Sequence, residues 1–181
     1  MSDYFEKYFN NDGFDFHRLI NDDLINPVRI LFKAKHYVSA IKLLMVAIDS
    51  VGYIEFGESE NNPFIVWLDK YSKIEALSIN STELWEQRNS LLHMSNLNSR
   101  KVQNGKVRKL VGYIGVIPKE VNLANTETGY YDMQKLILEI GQSLNRWIAT
   151  YDEEREKINQ FVDRYDLIAS DARMLHLKID Q

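Results

Sequence analysis

"MQKLILEIGQSLNRWIATY", residues 133–151, places apolar side chains at Met133, Leu136, Ile137, Ile140, Leu144, Trp147, Ile148 and Tyr151. Steps of three and four are the signature of one helical face, not the alternation of a strand. After the charged run "DEEREK" the stripe resumes at Ile158, Phe161, Val162, Tyr165 and Ile168. This predicts a long bent helix or an antiparallel helical pair, with the charged run as a solvated face or the kink between them. Its aromatic members, Trp147, Tyr151, Phe161 and Tyr165, read as core rather than as a surface for stacking bases.

The same period recurs upstream. "PVRILFKAKHYVSAIKLLMVAIDSVG", residues 27–52, carries Leu31, Val38, Ile41, Leu44, Met45 and Ile48 at helical spacing. Pro27 suits a first turn and Gly52 suits a C-cap. Asn62-Pro63 opens another helix. Asn80 and Glu83 have the spacing of a capping box ahead of a further one, which runs to about Met94. Between residues 95 and 118 the period is lost. An Asn104-Gly105 pair lies between "RKVQ" and "KVRKLVGYIGVI", predicting a β-hairpin or a long exposed loop. The predicted fold is all-α, a helical bundle with that excursion between its third and fourth main helices. One domain spans 1–181, with 1–26 as a helical extension and 27–165 as the core bundle. The opening "DYFEKYF" either packs on the bundle or exchanges between subunits.

Bulk properties narrow the function. The chain has 181 residues, 45% hydrophobic and 27% charged, as expected of a folded domain. It has no cysteine, which excludes disulfides and thiolate metal sites and suits a cytoplasmic protein. The acidic, aromatic N-terminus is unlike a signal peptide, and no uninterrupted apolar run approaches the ~18 residues of a membrane span. A net charge of −4 gives no overall attraction for nucleic acid, so any such role needs a local basic patch. "RKVQNGKVRK", residues 100–109, is one: five basic residues (Arg100, Lys101, Lys106, Arg108, Lys109) and no acidic one. It reads as a set of phosphate contacts or as lysines protecting a sheet edge.

The sharpest local feature is "ELWEQRNSLLHMSN", residues 83–96. On a helical wheel Arg88 falls within the arc of Leu84, Trp85, Leu91 and Leu92, while Asn89 and His93 align at its edge. A guanidinium stays charged and needs an anion if buried. Either a core carboxylate answers it, with Asp49 the plausible structural partner, or a phosphate does. His93 is equally ordinary as a histidine favoured by a helix C-terminus. His17, His36 and His176 are isolated, and without cysteine or a His-x-x-x-His pair no metal site is expected.

"RNSLLH", Arg88 to His93, resembles the R-x4-6-H signature of HEPN domains, including the polar residue after the arginine. Arg29 and His36 also fit the looser spacing, but Ile30 follows that arginine and the pair lies inside an early helix. The resemblance covers the motif and the helical plan of residues 27–165. It implies a metal-independent endoribonuclease, cofactor-free and homodimeric, often a toxin of toxin–antitoxin or phage-defence systems, with RNA as substrate. The implied catalytic residues are Arg88, His93 and Asn89. RNA carries its own nucleophile, the 2′-OH, so the protein moves protons and stabilises charge. An imidazole, with an ordinary pKa near ~6.5, suits acid–base work, and a guanidinium suits the charged transition state. Ser95 stands where partner-silenced HEPN toxins commonly carry a tyrosine, so that mode of silencing does not carry over; another antitoxin protein remains open. The alternative is a non-catalytic HEPN-like module binding nucleotide, RNA or protein through Arg88.

Overall fold

The computed structural model describes residues 6–11, 13–94, 99–117, 119 and 121–173. The chain is mostly helical and bundle-like, around one continuous apolar core. Helices α1 (Phe16–Ile20) and α2 (Asn26–Lys33) are joined by a π-helical stretch, Asn21–Ile25. Then come α3 (Tyr37–Phe56), α4 (Pro63–Tyr71) and α5 (Ser81–Asn89). A short α6 (Arg100–Gln103) precedes the two long C-terminal helices, α7 (Met133–Glu153) and α8 (Lys157–Arg173).

Helix starts follow the sequence signals. Asn62 accepts hydrogen bonds from the Phe64 and Ile65 amides ahead of α4. Asn80 and Glu83 form a reciprocal capping box at α5. Such caps satisfy amide donors that a first turn leaves unpaired. The C-terminal stripe divides into two helices that break at residues 154–156, and Phe161 of α8 returns to lie 5.7 Å from Tyr151 and 6.1 Å from Trp147. Trp147, Tyr151, Phe161 and Tyr165 are all buried.

The N-terminal segment is part of this core: Tyr8, Leu19, Ile20 and Ile25 are buried in it. A small hairpin, β1 (Phe9–Asn10) with β2 (Gly13–Phe14), turns the chain into α1. The Tyr8 and Tyr165 hydroxyls both donate to Asp23, tying both ends of the chain to one carboxylate. Residues 3–5 of the "DYFEKYF" segment, and His176, lie outside the described residues.

Three expectations need correction. The stretch 27–52 is two helices, broken at 34–36 where Lys35 has φ +65°, and Gly52 does not end the second, α3, which continues to Phe56 and stops at Gly57 with φ +64°. Instead, a Cβ built on Gly52 would lie 2.8 Å from the Pro63 carbonyl oxygen, so glycine lets α4 start against α3. Gly52→Ala is therefore expected to cost about 1–2 kcal/mol in chemical denaturation despite the better helix propensity of alanine. Second, Asn104-Gly105 is not a hairpin turn. The Gly105 amide bonds the Val102 carbonyl and the Lys106 amide bonds the Lys101 carbonyl, a Schellman stop for α6 with Gly105 at φ +65°. Third, β3 (Lys109–Tyr113) pairs in parallel with β4 (Thr128–Asp132), whose residues the helical pattern of the sequence conceals. Parallel strands require a crossover, here the segment 114–127.

Helix α3 is long and apolar enough, with a mean hydropathy of 1.5, to cross a membrane by length and composition alone; half of that window is buried among the other helices. Lys42, Asp49 and Glu55 interrupt it, so the sequence shows no unbroken apolar run. Its C-terminal end carries a polar clamp. The buried Glu55 carboxylate accepts from Tyr71 (2.6 Å), Trp147 Nε1 (2.9 Å) and Lys157 (2.9 Å). Burial pushes this carboxyl up, but those three hydrogen bonds and the Lys157 charge outweigh it and hold it below its ordinary value. Arg164 caps the same helix, donating to the Ile54 and Glu55 carbonyls at 2.8 Å.

Candidate functional site

Helix α5 does not end at Asn89 but loosens into a π turn, Ser90–Met94. Ser90, whose hydroxyl donates to the Glu86 carbonyl at 2.9 Å, marks the transition, a bond that often bends helices. The change of winding decides the site. In a regular α-helix two residues five apart point ~140° away from each other. A π turn bonds i to i+5 and realigns them. Arg88 Nη1 accordingly reaches His93 Nε2 at 3.0 Å.

The rest of the guanidinium is held from three sides. Nη2 lies 2.5 Å from the Asp49 carboxylate of α3, and Nη1 also donates to Asn89 Oδ1 at 3.1 Å. The Trp85 ring lies beneath it, 4.9 Å from the guanidinium carbon to the ring centroid. Arg88 Nε is buried without a hydrogen-bond partner among the described residues. Arg88 is 15% exposed and His93 is exposed, so a half-buried cation sits behind a solvent-facing imidazole. An arginine only donates, so Nε2 is the acceptor here and Nδ1 carries the proton.

Arg88, Asn89, His93 and Asp49 thus form one cluster. The sequence reading missed Trp85 as a member. Its spacing three residues before Arg88 on one helix was the available signal. Tyr53, one turn beyond Asp49 on α3, lines the neighbouring cleft and was missed as well.

The basic segment has a different fate. Arg108 grips the buried Glu83 through Nε (2.5 Å) and Nη2 (3.0 Å), and also donates to the Ser78 carbonyl. The Glu83 hydrogen bond raises the Arg108 pKa above its ordinary value. Lys101 pairs with the buried Glu86 at 3.0 Å. Gln87, also buried, donates to the Leu110 carbonyl at 3.4 Å and accepts from Tyr131 at 3.0 Å. This segment therefore packs over the polar side of α5, and two of its five cations neutralise that helix. Arg100, Lys106 and Lys109 have no carboxylate in salt-bridge range among the described residues.

Beside the cluster lies a cleft of about 540 Å³, sharing Asp49 and Trp85 with it. No group of three or more His, Cys, Asp or Glu suited to a metal occurs among the described residues. No family model, no curated protein and no solved structure matches this chain.

Proposed function

We propose that this chain is a HEPN-type endoribonuclease cleaving RNA through its 2′-OH without a metal, with Arg88 and His93 as the acting pair. The observation that carries the reading is the 3.0 Å contact between a half-buried guanidinium and an exposed imidazole five residues apart. A phosphate entering beside His93 competes for Arg88 Nη1, because a charge-assisted bond to a phosphate oxygen outweighs one to a neutral imidazole. Transfer of Arg88 to the phosphate releases the Nε2 lone pair to take the 2′-OH proton. The 2′-oxygen then bonds to phosphorus as the bond to the 5′-oxygen breaks, giving a 2′,3′-cyclic phosphate and a 5′-oxygen that takes a proton from water. Arg88 then faces the charge that builds on phosphorus, while Asn89 and Asp49 keep its plane fixed. The reading includes a homodimer with two such pairs along one cleft.

The test is incubation of the purified protein with total RNA in EDTA. Cleavage by the wild type and none by His93→Ala supports the reading. Among the basic residues, Lys106→Glu and Arg100→Glu are expected to weaken RNA binding and lessen its salt dependence by about one counterion each. Arg108→Ala is expected to lower thermal stability instead, because it strands Glu83.

A second reading has its own support. Arg88 is already neutralised by Asp49, and it occupies the histidine lone pair. An anion-binding module without turnover has no need to release either. RNA bound tightly and left uncut in EDTA decides for it.

A further inference from the structure

We infer that the cleft beside Arg88 is a nucleobase subsite selecting guanine, with Tyr53 as the stacking ring and Glu60 reading the base edge; this rests on RNA being the substrate of the Arg88/His93 site. The cleft has no cation to hold a phosphate: of the residues lining it, Asp49 and Glu60 are acidic and none is basic. What enters alongside a phosphate held at Arg88 is therefore the uncharged part of the nucleotide. Tyr53 is half-buried, and neither its ring nor its hydroxyl has a partner among the described residues. It lies one turn of α3, about 6 Å along the axis, from the carboxylate that holds Arg88. Unstacked RNA bases are recognised by stacking on such rings while their Watson–Crick edges are hydrogen-bonded.

The polar groups choose the base. A carboxylate only accepts, and guanine is the base whose Watson–Crick edge offers two adjacent donors, N1–H and the 2-amino group. Glu60 is exposed, lines the cleft and pairs with no cation among the described residues. Asn62 uses its Oδ1 to cap α4, which leaves its amide nitrogen as the donor for the guanine O6. The cleft volume of about 540 Å³ accommodates a nucleoside.

The probe is neutral nucleoside, which separates base recognition from phosphate binding. Trp67 and Trp147 are 0% exposed, so Trp85 at the cleft wall is the reporter for red-edge tryptophan fluorescence. In His93→Ala protein, guanosine is expected to give a saturable change at about tenfold lower concentration than adenosine, cytidine or uridine. Glu60→Gln removes that preference. Tyr53→Ala weakens binding about tenfold, and Tyr53→Phe restores it. The proposal is overturned if no nucleoside alters the fluorescence, or if all four bind alike and Glu60→Gln changes nothing. Guanosine binding in a protein that never cuts RNA supports the subsite and overturns the nuclease reading alone. RNA cleavage without guanosine binding does the reverse.

Discussion

His93→Ala lowers the RNA-cleavage rate by about 10²–10⁴-fold, the range for removing a general acid–base group, while thermal stability stays within the scatter of surface substitutions. The side chain is exposed, and its one polar contact among the described residues is to Arg88, so the fold loses little. Arg88→Ala is expected to cost about 10²–10³-fold through lost charge stabilisation. Unlike His93→Ala it also destabilises, because Asp49 loses its cation and Trp85 its covering charge. The double variant should be scarcely slower than the worse single one, since residues acting as a unit are not additive. Single-turnover rates on a labelled oligonucleotide in EDTA measure all three. A double variant that still cleaves at the wild-type rate would falsify the assignment.

The second large effect is on stability. Glu55→Ala strands the Tyr71 hydroxyl and the Trp147 indole and takes from Lys157 one of its two carboxylates, leaving it Glu154 at 2.8 Å. A buried donor left unsatisfied costs about 1–3 kcal/mol, so the orphaned hydroxyl and indole, with the weakened hold on Lys157, come to about 3–5 kcal/mol. For a chain of this size that is a fall in Tm of roughly 6–20 °C. The damage should centre on the docking of α8, since Lys157 begins that helix. Because the folded carboxyl is held below its ordinary value, its contribution is present above the ordinary carboxylate range. It fades as the pH falls through that range and on through the lowered folded value. Glu55→Gln has no charge to lose, so its stability should follow pH less steeply on the acid side. An acid limb identical to wild type would show that another carboxylate controls acid unfolding.

Much of the architecture was legible because it depends on neighbours in sequence. The stripe from Met133, the cap at Asn62 and the capping box of Asn80 with Glu83 are each written within a few residues. Asn104-Gly105 shows where this fails. A glycine at positive φ serves a hairpin turn and a helix stop equally well, and the strand its hairpin needed was paired elsewhere, with residues 128–132. Gly52 misled for a related reason. A glycine near an expected helix end looks like a cap, but the Pro63 carbonyl required it.

For the candidate site, the sequence by itself determined the chemical parts: an arginine on an apolar arc, an asparagine beside it and a histidine five residues on. It also determined the helical frame around them. Only the tertiary structure decided how those parts meet. The π turn swings His93 over Arg88, against the divergence that regular winding dictates. Asp49 arrives from a helix 39 residues earlier. The basic segment divides, with Lys101 and Arg108 drawn to carboxylates of α5. The physical reason is common to the last two. Periodicity and caps arise from local backbone geometry, whereas the partner of a buried charge is whatever opposite charge the packed chain brings within reach.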